Sequence, residues 1–534
     1  MPFSGFLNGR FLTPGFNAEF EVLGLPEVTV SGGALARKGR SFLTGIGESC
    51  LNLSFACPNP SLHNALVSIE RRMYKVADPL GRHPGNGMTG VCDPLTPAPG
   101  CFRRCESFRQ QIIQTCQALQ PCSPQQFVDT YHSRKKASYQ LALLKLQGCV
   151  VTTKHAKVKW FLKMEKHQMG KKKVVPRSIC PRSKEYNISI GVFLKKNEKA
   201  FMKAIDRCFG SDTVLSGYDS FTVGHKISRK WFSYKNPVAI GVDASRFDQH
   251  VSVQALRWEH SIYNGCFMSD ELARLLRMQL NNDCIGFVED KVLKFKVRGH
   301  RMSGDINTSM GNKLIMCGMM YTYFQELGVK ADLCNNGDDC VIICEKQDEH
   351  HFDGLKSWFE EFGFNMAIEE PVYELEKLEF CQSSPCCVNG KWRMVRKPSS
   401  IAKDSYSMQS MQTEGDYTSY LSAVGQCGMI LNTGVPVLSS FHRMLYRCSG
   451  YKKISESYMR MVIEYGNDER LGTSRTYKYE PITTSTRLSY AKSSGIDLYT
   501  QTLIEKYFDN LELNLTNSLV MRPTSHLDHQ LLNC

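Results

Sequence analysis

Two apolar runs, Ala331–Cys334 and Cys340–Cys344, flank the pentapeptide Asn335-Asn336-Gly337-Asp338-Asp339. Asn and Gly between apolar runs favour a tight hairpin, because they tolerate the positive φ angles such turns need. This predicts two antiparallel strands with Gly337 in the turn and two carboxylates at the tip. An Asp-Asp pair in a turn is by itself an ordinary surface feature. Its meaning depends on what else the chain brings there.

A second apolar run, Pro237–Val242, ends in Asp243 and reads as a buried strand delivering a carboxylate at its end. A helix is expected through Gln254–Tyr263. Ser303–Phe324 reads as a Gly-containing polar loop that continues into a helix rich in Met and Leu. Asn389-Gly390 within Cys387–Val395 predicts a further hairpin. Ser123-Pro124-Gln125-Gln126 has the Ser, Pro and Gln of a capped helix start, with helical spacing expected over Phe127–Leu146. The last ~140 residues are largely helical in pattern.

Charge narrows the class of partner. The 534 residues carry a formal net charge of +14, which suits a polyanionic partner. Eleven Lys or Arg fall between Lys154 and Lys184 with Glu165 as the lone acid. Trp160, Phe161, Pro176 and Pro181 interrupt that run, so it reads as ordered extended structure presenting cations along a groove rather than as a solvated tail. A 42% hydrophobic, 22% charged composition argues against global disorder. No apolar stretch approaches the ~18–20 residues of a membrane span. Met1–Phe16 lacks the pattern of a signal peptide, so the 22 cysteines are expected as reduced thiols. Cys92, Cys101, Cys105, Cys116 and Cys122 lack paired C-x2-C spacing and read as buried thiols before a zinc site. The absence of a Walker A sequence removes a helicase reading.

Asp243, Asp338 and Asp339 thus come from separate elements that end at turns. Carboxylates on neighbouring strands are a direct way to hold two Mg²⁺ ions, with Mn²⁺ as a possible substitute, for nucleotidyl transfer.

In order and spacing, these segments resemble the motif set of positive-strand RNA virus polymerases. Asp243-Ala-Ser-Arg-Phe-Asp248 resembles motif A. Ser303-Gly-Asp-Ile-Asn-Thr308-Ser-Met-Gly-Asn312 resembles motif B, and Gly337-Asp338-Asp339 resembles motif C. Leu378–Gln382 resembles motif E, and Lys163-Met-Glu165-Lys166 with Pro176-Arg177-Ser-Ile-Cys-Pro181-Arg182 resembles motif F. Across roughly residues 55–400 the chain is similar to the tombusvirus family and its umbravirus-like relatives.

That resemblance implies an α+β right-hand fold with an antiparallel palm sheet and largely helical fingers and thumb. The expected division is an N-terminal extension over 1–45, lying over another domain, and fingers over 46–236. Palm motifs follow over 237–395, with a fingers insertion near 265–300, and the thumb covers 396–534. It implies metal ligation by Asp243, Asp338 and, more weakly, Asp339. Ribose recognition is expected from Asp248, Ser303, Thr308 and Asn312, and triphosphate or RNA contacts from Lys163, Lys166, Arg177 and Arg182. For Arg182 a generic backbone contact is an equal expectation. The motif D general acid is unassigned: Phe362–Ala367 contains no Lys, and Lys377 is the nearest candidate.

The implied activity is replication of a plant virus RNA genome from an RNA template and NTPs, at host cytoplasmic membranes reached through an upstream replication protein that carries the anchor. A non-catalytic RNA-binding protein and a reverse transcriptase are the competing readings. The first should lack one of Asp243 and Asp338, and the second should lack Asp248, Thr308 and Asn312.

Overall fold

The computed structural model describes residues 11–33, 43–45, 55–77, 91–455, 458–459 and 477–513, apart from positions 14, 23, 26, 118, 170–172, 410 and 412. Helices and strands mix along the chain. In chain order, the elements that position the site are β1 (Thr29–Ser31), α1 (Leu62–Ile69), β2 (Val158–Leu162), β3 (Ser178–Ile179), β4 (Pro237–Ala244), α2 (Val253–Phe267), β5 (Asn281–Val288), β6 (Lys291–Arg298), α3 (Thr308–Leu327), β7 (Ala331–Asn336), β8 (Asp339–Glu345), β9 (Met366–Ile368), β10 (Ser383–Val388), β11 (Lys391–Arg396), α4 (Glu414–Asn432) and α5 (Leu438–Cys448).

Four of these strands form an antiparallel sheet in the order β7-β8-β4-β9. Its middle strands read as unbroken apolar runs because both faces are covered. Val238, Ile240 and Val242 point into one core together with Ile342 and Cys344, whereas Ala239, Val341 and Ile343 point into another with Cys334. Each buried Val or Ile contributes about 1.5–3 kcal/mol.

Helix α3 crosses the first core and is buried around most of its circumference, from Met310 to Phe324. Its Gly318 lets Trp258 of α2 approach: an added Cβ would stand 2.5 Å from the indole. Gly328, at φ +65°, ends the helix in the left-handed conformation that favours glycine.

A second sheet runs β1-β6-β5-β2-β3. It joins the basic segment (β2, β3) to the β5–β6 hairpin, which lies between Asp243 and Ser303 in sequence; β2 and β5 pair in parallel. Of the N-terminal residues described, Thr29–Ser31 adds the edge strand, and Leu43–Gly45 pairs with Tyr406–Ser407.

The expected hairpins are present at β7–β8 and β10–β11, the latter turning through Asn389 and Gly390 at φ +50° and +78°. The capping box at Ser123 is present. The single helix expected over Phe127–Leu146 is instead two, Pro124–Val128 and Ser133–Leu146, with Ser133 at φ +48°. Burial of Phe127 and edge-on packing of its ring against Tyr131 and Tyr139 accompany the break. Beyond the β10–β11 hairpin, the described residues are mainly helical. Tyr417 of α4 and Phe441 of α5 share a separate core with Phe508.

Candidate active site

Antiparallel pairing of β4 with β8 sets Asp243 directly opposite Asp339. A two-residue turn, Gly337-Asp338, links β7 to β8 and puts Asp338 beside that pair. Gly337 sits at φ +83°, where a side chain would be strained even though nothing crowds its Cα. The fully buried Asn335 fixes this turn from below. Its Nδ2 donates to Gly337 O at 2.7 Å and its Oδ1 accepts from Gly337 N at 3.1 Å. Sequence reading noted Asn335 only as a turn former.

The three carboxyls titrate above the ordinary aspartate value. Surrounding protein mass raises Asp243, and Asp338 adds to it. Burial also raises Asp338, while Arg177 and Lys313 oppose the rise. Both residues remain exposed, so their desolvation is partial. Asp339 is pushed up to about 6, chiefly by burial. Its Oδ2 accepts from Cys381 N at 2.9 Å. Cys381 and Gln382 adopt φ +52° and +57° in succession, closed by mutual hydrogen bonds between Phe380 and Ser383. Two left-handed residues with side chains in one turn store strain, and here the turn presents an amide to a candidate metal ligand.

A buried polar chain orients Asn312 and Asp248. Arg301 Nη2 donates to Glu259, and Arg301 Nε donates to Asn312 Oδ1 at 2.9 Å. Asn312 Nδ2 then donates to Asp248 Oδ1 at 2.9 Å. Burial raises the Asp248 carboxyl, with the Asn312 bond and Arg301 opposing. Arg301 and Glu259 were absent from the sequence reading; the one signal is for Arg301, a charged residue next to the motif B loop.

Thr308 spends its hydroxyl proton on Met302 O and Asp305 O, both at 2.9 Å, which leaves it only acceptor capacity. Ser303 Oγ donates to Ser178 O at 3.2 Å and ties the loop to β3. Lys313, next to Asn312, is buried with Nζ 2.6 Å from Ser309 Oγ. It was also missed.

Among the basic residues, Lys163 pairs with Glu165 at 2.7 Å, and Arg177 stands 3.7 Å from the same carboxylate. Burial pushes Glu165 up, but Lys163 and Arg177 outweigh it and leave the carboxyl below its usual value. Both cations remain substantially exposed.

Two expected phosphate contacts need correction. Arg182 is buried, donating from Nε to Asp305 Oδ1 at 2.6 Å, from Nη1 to Ala156 O and from Nη2 to Asn282. Its guanidinium is consumed in fastening the motif B loop to the five-stranded sheet. Lys166 donates to Lys403 O and Tyr406 O, both at 2.8 Å, and burial lowers it to about 8. The ammonium therefore pins the chain after β11.

Two arginines take up positions the sequence did not assign. Arg72 donates to Val175 O at 3.0 Å, and Arg246 donates to Arg71 O. Burial, Arg246 and Arg177 together bring Arg72 down to about 10, a sign of crowded like charge. Lys377, the candidate motif D acid, pairs with Glu374 at 2.8 Å on the surface.

Cys101, Cys105 and Cys116 are buried along residues 101–116, and burial pushes the Cys105 thiol up to about 12. Among the described residues, no three His, Cys, Asp or Glu side chains converge as a metal cage.

A strand carboxylate facing a Gly-Asp-Asp hairpin, with an Asn–Asp pair and exposed cations alongside, is the arrangement of a nucleic-acid polymerase site. The comparisons agree. Residues 28–516 match the family described as viral RNA dependent RNA polymerase, and the chain belongs to that family. It is 51% identical over 529 residues to a barley yellow dwarf virus (isolate P-PAV) protein, covering 99% of this chain and 60% of that one. It is 37% identical over 515 residues to the RNA-directed RNA polymerase of red clover necrotic mosaic virus (95% and 66%). Against that of turnip crinkle virus it is 38% identical over 477 residues (88% and 60%). The chain thus spans about 60% of the length of several curated relatives.

Proposed function

We propose that this chain catalyses template-directed RNA synthesis from NTPs as part of a viral replication complex. It would do so within a right-hand arrangement in which 237–395 is the palm, 46–236 with the 265–300 insertion the fingers, and 396–534 the thumb. The observation that carries the reading is the register pairing of Asp243 with Asp339, with Asp338 at the adjoining turn. Family membership supports it.

The donor set fits Mg²⁺: hard carboxylate oxygens, raised mainly by burial, with Asp338 adding to the rise of Asp243 and both adding to that of Asp339, and with room for water and substrate phosphate oxygens as further ligands. Asp243 and Asp338 would hold the two ions, with Asp339 steadying the hairpin through Cys381. When bound, the metal pair supplies activation of the primer hydroxyl and neutralisation of charge at the phosphates. Lys163 and Arg177 would exchange Glu165 for the NTP triphosphate. The free Asp248 oxygen, with Asn312 locked beside it, would accept from the ribose 2′-hydroxyl, and a site built to bond a hydroxyl rejects a sugar without one. That polar pair favours RNA synthesis over the reverse transcriptase reading, and the presence of both Asp243 and Asp338 favours catalysis over RNA binding alone.

RNA template, nascent RNA and an upstream membrane-anchored replication protein are the proposed partners, at membrane-associated sites in host cytoplasm. Among the described residues, no helix is long and apolar enough to cross a membrane. The test is extension of a primed RNA template with NTPs against dNTPs in Mg²⁺, with Asp338→Asn as control. Equal activity of the variant would overturn the assignment.

A further inference from the structure

The five-stranded sheet buries one face against α1, through Trp160, Phe295, Val297 and Ile69, and leaves the other open. Period-2 alternation decides what the open face carries. Lys157, Lys159 and Phe161 are exposed on or just before β2, between the buried Val158, Trp160 and Leu162. On β6, Lys294, Lys296 and Arg298 are exposed between the buried Phe295 and Val297.

Register aligns these residues into rows. Lys294 is opposite Ile285, which is beside Lys159, and Lys296 is opposite Asp283. The β5 neighbour one step past the last parallel pair, Gly286 beside Trp160, is Phe287, placed next to Phe161. Phe161 is 47% and Phe287 38% exposed.

Five cations therefore share this face with Asp283, which reaches Lys296 only at 4.0 Å. Among the described residues, no carboxylate lies within ion-pair distance of Lys157, Lys159, Lys294 or Arg298. Several of the same side chains line a groove of about 890 Å³ whose acidic walls are Glu27 and Asp283.

Solvated surface lysines alone would mean little. Here the cations recur along strands about every 6.6 Å, with exposed aromatic rings at one end. We propose that this open sheet face is a docking platform for single-stranded RNA, outside the carboxylate site, and this deepens the polymerase reading on which it rests. Lys157, Lys159, Lys294, Lys296 and Arg298 would track phosphates while Phe161 stacks a base. Charge complementarity selects a polyanion. The exposed ring selects a strand with unstacked bases over a duplex, whose A-form major groove side chains do not enter.

The test uses the full chain and an unstructured 20-nucleotide RNA. The triple variant Lys294→Ala/Lys296→Ala/Arg298→Ala should bind at least about tenfold more weakly. The slope of log affinity against log salt should fall by about 2, at roughly 0.7 per lost single-strand phosphate contact. Phe161→Ala should weaken binding, Phe161→Tyr should preserve it, and Asp283→Asn should tighten it. Single-nucleotide incorporation on a self-priming hairpin with a one-nucleotide overhang should match the unaltered chain in the triple variant.

Unchanged affinity and salt slope in the triple variant would overturn the platform. So would displacement of polyglutamate but not RNA from that face. If the unaltered chain incorporates no nucleotide yet its RNA binding still depends on these residues, the platform stands and the polymerase reading falls.

Discussion

Asn312 on α3 donates to Asp248, in the short helix Phe247–His250 that follows β4, at 2.9 Å, and its own carbonyl is held by Arg301. With both ends of the amide fixed, Asp248 keeps one oxygen for a ligand. Asn312→Ala should leave measurable RNA synthesis but lower the preference for NTP over dNTP. A buried hydrogen bond of this kind contributes about 1–3 kcal/mol, so discrimination should fall by roughly five- to hundredfold. Single-turnover incorporation of matched pairs measures it, and an unchanged ratio assigns sugar choice to another group.

Asp243→Asn and Asp338→Asn should each abolish incorporation while RNA affinity stays near that of the unaltered chain, because the phosphate-binding cations lie elsewhere. Independently of activity, Mg²⁺ should raise the melting temperature of the unaltered chain more than that of either variant. An equal Mg²⁺ shift in all three would place the metals elsewhere.

Arg177 and Arg182 sit five residues apart in sequence and should respond in opposite ways. Arg177→Ala removes an exposed cation, so stability should hold while the NTP KM rises. Arg182→Ala leaves Asp305 buried without its partner, a loss of about 3–5 kcal/mol. Chemical denaturation together with NTP kinetics on both variants separates the two roles.

Asp404 joins β11 to the C-terminal helices: Arg396 grips both its oxygens, at 2.8 and 3.0 Å, and His442 lies 3.6 Å away. Burial alone would raise this carboxyl, but Arg396 and His442 outweigh it and hold it far below the ordinary value. A depressed folded pKa stabilises above the unfolded value of about 4 and loses that contribution as pH falls further. Asp404→Asn should therefore cost about 3 kcal/mol or more at pH 7, and the gap from the unaltered chain should close below about pH 4. A gap independent of pH would refute the linkage.

Spacing along the chain determined much of this protein. The period of the apolar runs, the Asn-Gly and Gly-Asp-Asp turns and the order of the acidic segments specify the hairpins, strand β4 and which carboxylates belong together. These are local properties, set by backbone sterics and by burial of alternate or successive residues. Phe127–Leu146 shows the limit: helical spacing was legible there, but the break that accompanies packing of Phe127, Tyr131 and Tyr139 was not.

Only tertiary structure decided the fate of individual polar groups. Lys163, Lys166, Arg177 and Arg182 look alike in a basic run, yet two remain exposed beside Glu165 and two are spent on Asp305 and on backbone carbonyls. Arg301, Lys313 and the Cys381 amide entered the site from within or beside the motif segments, at positions that the sequence does not single out. The physical reason is that a charged side chain's role depends on which partner satisfies it, and those partners lie anywhere from 2 to 240 residues away in the chain.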